Sequence, residues 1–154
     1  MVPICVYLCL SVVPFVSDVR VTIDRPSSYD SRLPTELVLY ALPNGNTTEW
    51  TAGKLRGPGD DWHFDIQHIG AQTRALRAAM TDRNIVVAYL ETPQKSWPAW
   101  RAAHPDAGAQ IVSLVEETKR GLPKSNSLDV VLTGHSGGGS FIFGYIEEIG
   151  RAHV

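Results

Sequence analysis

Cysteine is scarce in this chain. Two are present, Cys5 and Cys9, and both fall within the first ten residues. They cannot staple the body of a fold, and no CxxC or Cys/His spacing of a zinc site occurs, so no metal is assigned. An excess of positive charge is lacking too: 14 Lys and Arg stand against 16 Asp and Glu, for a formal net charge of −2. No basic cluster interleaved with aromatics appears, which argues against a nucleic-acid partner. No apolar run reaches the roughly 20 residues that a stable membrane span needs. Charged residues make up only 19%, yet hydrophobic residues reach 44%, so the chain has the material for a packed core rather than a disordered segment. Its 154 residues suit one domain. Internal repeats and low-complexity tracts are absent.

The opening MVPICVYLCLSVVPFVSDVR is almost wholly apolar up to Val16. Its length fits the apolar core of a secretory signal, although no Lys or Arg precedes it. Residues 1–17 are read as a signal peptide, which implies a secreted or periplasmic protein. The alternative is a buried first strand in a cytoplasmic one.

Beyond it, apolar strands alternate with helices. Val19 to Ile23 reads as a short strand, followed by the turn-rich DRPSSYDSRLP. Glu36 to Leu42, Asn84 to Leu90 and Leu128 to Thr133 are continuous enough to be buried on both faces. Helical spacing covers Ile66 to Thr81, with Asp65 as N-cap, and Asp106 to Arg120, with Gly121 as the C′ residue. A third helix is expected over Gly137 to Glu147. This order implies an α/β fold with a mostly parallel sheet and crossover helices. Ligands of such sheets sit at the carboxyl ends of the strands, where the loops 42–65, 91–105 and 134–137 meet.

The stretch VVLTGHSGGGS, residues 130–140, carries the chemistry. Gly134-His135-Ser136-Gly137-Gly138 fits G-x-S-x-G between a strand and a helix. A tight turn there would hold Ser136 strained, with its hydroxyl pushed outward. Gly134 and Gly138, without Cβ atoms, let strand and helix approach. The helix N-terminus and the Gly137 N–H would favour developing negative charge. The bland alternative is a plain glycine turn. A phosphate-cradling loop would need Lys before the terminal Ser, and Gly139 stands before Ser140.

With LTGHSGGG as its nucleophile elbow, the chain resembles the α/β-hydrolase family over roughly residues 36–147. The resemblance implies a serine hydrolase acting on a carboxylic ester or related acyl bond, with Ser136 as nucleophile, a small-molecule acyl substrate and no cofactor. It also implies a second oxyanion donor from the loop after an earlier strand, here LPNGN, with Gly45 or Asn46 as the donor. His135 would shape the elbow. An acyltransferase, or a non-catalytic binding module using the same pocket, is the rival reading.

The family order is Ser, then acid, then His. After Ser136 the sequence offers Glu147, Glu148 and His153, on or past the elbow's own helix, which runs away from the site. The final EIGRAHV, residues 148–154, resembles a translated sequencing adapter. The expectation is a truncated α/β-hydrolase fold over residues 18–147 with a non-native tail, inactive or barely active alone, its open sheet edge prone to association. Upstream, His63, His68 and His104 lie near Asp60, Asp61 and Asp65; a His/Asp pair for the serine is one reading of them, and solvated or packing residues the preferred one. The five-residue spacing of His63 and His68 is poor for a helical metal pair. Trp50, Trp62, Trp97 and Trp100 fall in the two loops and would either line an apolar pocket or pack the loops.

Overall fold

The computed structural model describes residues 10–12, 18–61, 63, 65 and 67–151. Most of the expected signal peptide, Trp62, Ile66 and His153 lie outside them. The chain runs β1 (Leu10–Val12), β2 (Arg20–Asp24), β3 (Thr35–Ala41), α1 (Thr48–Ala52), α2 (Ile69–Ala79), β4 (Asn84–Glu91), α3 (Trp97–Ala103), α4 (Ala107–Arg120), β5 (Leu128–Gly134) and α5 (Gly139–Arg151). The α/β class expected from the sequence holds.

The sheet order is β1-β2-β4-β3-β5. Its centre is parallel: β3 pairs with β4 on one side and β5 on the other. The expectation of a mostly parallel sheet holds for these three strands only, because β1–β2 and β2–β4 are antiparallel. The helix-free segment 25–34 passes the end of β4 and turns the chain back, so β2 and β3 run in opposite directions. From β3 the chain crosses one way to β4, and from β4 back past β3 to β5. Right-handed crossovers in opposite directions put their helices on opposite faces. The packing agrees. Val86, Ala88 and Leu90 share a core with Trp97 and Trp100 of α3, Ile111, Leu114 and Val115 of α4, and Phe141 of α5. Their neighbours Val87 and Tyr89 join Tyr40 and Leu42 on the other face, against Ala52 of α1 and Ile69 of α2. The alternation is the period-2 pleat of a strand covered on both sides.

Short helices form inside both expected loops. Thr47 accepts a bond from the Trp50 N–H to open α1, and Ser96 caps α3 at the Ala99 N–H, with Pro98 in the first turn. Trp97 and Trp100 are therefore core residues rather than pocket walls. Their rings meet edge to face at 5.4 Å, and Trp97 lies 4.8 Å from the Phe141 ring. Trp50 is half-buried under the Lys54 ammonium. Two caps differ from expectation. α2 starts at Ile69 behind His68, which is left-handed at φ 49°, so Asp65 does not cap it. Gly121 keeps a right-handed φ of −74°, so its N–H closes α4 onto Glu117 without a left-handed turn.

One buried ion pair ties α2 to the antiparallel edge. Arg77 Nη1 meets Asp24 Oδ1 at 2.9 Å, and its Nε and Nη2 donate to the Ile85 carbonyl. The Asp24 side chain is only 4% exposed. The far edge is different. β5 was expected to be buried on both faces, but Val130 and Val131 are 36% and 40% exposed, because β3 is its one strand neighbour among the described residues. Phe143 and Ile146 of α5 lie open nearby on the exposed side of their helix. No helix among the described residues is long and apolar enough to cross a membrane.

Two outcomes follow. Arg77→Met leaves the Asp24 carboxylate buried without its partner and should lower the unfolding free energy in urea by about 3 kcal/mol. Val131→Lys on the open edge should reduce concentration-dependent association in sedimentation velocity; an unchanged distribution would show that β5 does not mediate it.

Candidate functional site

The site begins where two parallel strands end side by side. Ala41, the last residue of β3, is in register with Gly134, the last of β5. The segments that follow, 42–47 and 135–138, therefore leave the same sheet edge as neighbours. The chain leaves β3 toward one face and β5 toward the other, the arrangement in which ligands of such sheets sit at the carboxyl ends.

After Gly134, His135 is still extended, at φ −123° and ψ 142°. Ser136 then turns left-handed, at φ 53°. A single 3-10 turn over Ser136–Gly138 leads into α5. A serine in this region costs about 1–2 kcal/mol, so the surrounding packing must impose it. The glycines show how. A Cβ on Gly138 would strike the Ala41 carbonyl oxygen, and one on Gly134 would come within 3.0 Å of the Gly138 carbonyl carbon and 3.1 Å of Ala41 O. The helix start is thus pressed onto the end of β3, closer than any side chain permits. The chain covers this distance in one turn by swinging Ser136 outward. Ser136 is exposed, and no hydrogen bond engages its Oγ among the described residues.

The backbone donors around it sort into used and unused. Gly138 N–H bonds to His135 O at 2.9 Å, and Gly139 N–H turns back to Ser136 and Gly137. Gly137 N–H stays outside this bonding, next to the serine and at the positive end of a 13-residue helix. On the opposing loop, the two expected donors are taken. Gly45 N–H is held by Lys95 O at 2.8 Å, and Asn46 N–H by Pro43 O at 3.2 Å. Neither amide is available to an anion, because one ties the loop to Lys95 and the other closes a turn. The residue that does reach the serine turn is Asn44, which the sequence reading passed over. A Cβ on Gly137 would overlap its carboxamide, meeting Oδ1 first, then Cγ at 2.5 Å and Nδ2 at 2.9 Å. Asn44 is exposed, whereas Asn46 is buried. The N-G pair in PNGN was the available signal.

The histidines and carboxylates are engaged elsewhere. His135 is exposed at the turn itself. The His104 ring stacks on Trp100 at 4.3 Å, with Nδ1 2.8 Å from the Trp100 carbonyl. His63 pairs with Asp61 at 2.6 Å, and His68 with Asp65 at 3.2 Å. Asp60 is bound by Lys54, which lowers its carboxyl pKa. Bonds from the His63 backbone and ring do the same to Asp61. On α5, Glu147 pairs with Arg101 at 2.6 Å and Glu148 with Arg151 at 3.0 Å. Among the described residues none of these groups is hydrogen-bonded to Ser136, and no three His, Cys, Asp or Glu side chains gather as a metal site.

The strain at Ser136 is measurable. Ser136→Gly should be about 1 kcal/mol more stable than Ser136→Ala in urea unfolding, since glycine alone relaxes the left-handed residue. Equal stabilities would mean that the turn carries no strain. Gly138→Ala should lose about 1–3 kcal/mol through the clash with Ala41.

Compared with known proteins, the chain matches no family model, and no curated protein or solved structure matches it significantly.

Proposed function

We propose that the chain carries the nucleophile half of a serine hydrolase of the α/β-hydrolase type, acting on a carboxylic ester or related acyl bond. One observation carries the reading: an exposed serine held at φ 53° between a parallel strand and a helix N-terminus, with glycines on both sides crowded against the neighbouring strand. Strain of this kind persists where chemistry needs it. The strand–turn–helix context is the one in which G-x-S-x-G is meaningful, and the opposing loop follows β3, where the family's second oxyanion donor lies.

In this reading Ser136 Oγ attacks the acyl carbon as its proton passes to a base. The carbonyl oxygen becomes an oxyanion facing the Gly137 N–H and the start of α5. Collapse expels the alcohol, which takes a proton from the conjugate acid of the base. The acyl group is left as an ester on Ser136, and water then releases it by the same route. In this reading the base and its orienting acid come from outside residues 18–147, since no histidine or carboxylate among the described residues is hydrogen-bonded to Ser136. By itself the chain should therefore turn over esters slowly at best, since a serine hydroxyl without a base is a weak nucleophile.

The test supplies the base from solution. The chain is incubated with a fluorophosphonate probe and imidazole, then digested for mass spectrometry. One adduct at Ser136, absent from Ser136→Ala, is the expected result. A folded chain in which Ser136 resists the probe, while acyl ligands still bind, would favour a non-catalytic module and overturn the enzyme reading.

A further inference from the structure

We infer that the side-chain amide of Asn44, rather than a backbone N–H of its loop, supplies the second oxyanion donor opposite Gly137; this rests on the acyl-transfer reading above. Three observations carry it. The first is position. Ala41 and Gly134 are register partners, and the third residue after β3 and the third after β5, Asn44 and Gly137, meet at this edge. The contact is close enough that the Asn44 carboxamide fills the space that a Gly137 side chain would occupy. Glycine at 137 is thereby explained: its φ is not left-handed, so the constraint is room for Asn44 and not backbone freedom.

The second is exclusion. The backbone amides next along the loop, Gly45 and Asn46, are spent on Lys95 O and Pro43 O. The Asn44 carboxamide makes no hydrogen bond among the described residues and stands exposed beside Ser136. A half-turn about its terminal bond exchanges Oδ1 and Nδ2, and that torsion is soft. Negative charge growing on a substrate oxygen would select the orientation with Nδ2 inward.

The third is rigidity. The Asn46-to-Pro43 bond, with Gly45 at φ 80°, makes Pro43–Asn46 a type II turn with Asn44 at its first corner. Gly45 N–H clips the turn to Lys95, itself left-handed at φ 49° and bonded through its own N–H to Thr92 O. The donor is therefore carried on a corner fixed by two strands' loops. With the backbone held in this way, the carboxamide torsion is the one adjustment the donor needs when charge appears.

The probe is the same fluorophosphonate with imidazole, followed by the rate of adduct formation at Ser136. Asn44→Ala should lower the maximal labelling rate by roughly 100- to 1,000-fold, the loss typical for one oxyanion donor, with little change in the probe concentration giving half-maximal rate. Asn44→Asp, of the same shape, should label no faster than Asn44→Ala, because its carboxylate repels the anion. Both variants should melt as the parent does, since the side chain is exposed. Gly137→Ala should slow labelling by displacing Asn44, yet cost little more once Asn44 is already alanine. Labelling of Asn44→Ala or Asn44→Asp at the parent rate overturns this inference and leaves Ser136 as nucleophile. A parent chain that stays unlabelled overturns both.

Discussion

The contact between the Ala41 carbonyl and Gly138 governs the rest of the site. It forces the first turn of α5 onto the end of β3, and the chain has only His135, Ser136 and Gly137 with which to get there from β5. Along that path one residue takes a left-handed conformation, and it is the serine. Exposure of the hydroxyl, an unused amide at Gly137 and a helix N-terminus behind both follow from this single steric constraint. The same approach brings the loop after β3 alongside, because Ala41 and Gly134 are already paired.

The sheet makes that constraint rigid. β3 and β4 are buried on both faces by helices lying on opposite sides, a consequence of crossovers that leave β3 in opposite directions. The aromatic cluster of Trp97, Trp100 and Phe141 pins α3 and α5 to one face, and Arg77 pins α2 to the β2 side through Asp24. β5 is held less fully. It carries the serine turn, yet has one strand partner and exposed valines, and α5 leaves Phe143 and Ile146 open. The serine turn therefore sits at the boundary between the well-covered part of the molecule and its least-covered part.

Much was legible in the sequence, for local reasons. ELVLYAL and NIVVAYL are apolar runs that only a strand covered on both faces accommodates, so the α/β class followed from them. The G-x-S-x-G stretch marked its own turn, because glycines at those spacings have few other uses between a strand and a helix. Caps were less secure: the helix after Asp65 begins three residues later than its periodicity indicates, behind a left-handed His68.

What the sequence could not decide are relations between residues far apart along it. Whether β2 runs parallel or antiparallel depends on which strand it meets, and that is β4, more than sixty residues on. Whether tryptophans at 97 and 100 line a pocket or a core depends on where α5 places Phe141. Which amide of PNGN is spent depends on the carbonyl of Lys95 in another loop, and only that bond removes Gly45 and leaves Asn44 beside the serine turn. The sequence by itself determined the strands and the serine turn, since each is set by contacts within a few residues. The tertiary structure decided the partners, because hydrogen bonds and steric contacts across a sheet depend on register, and register is a property of the folded chain.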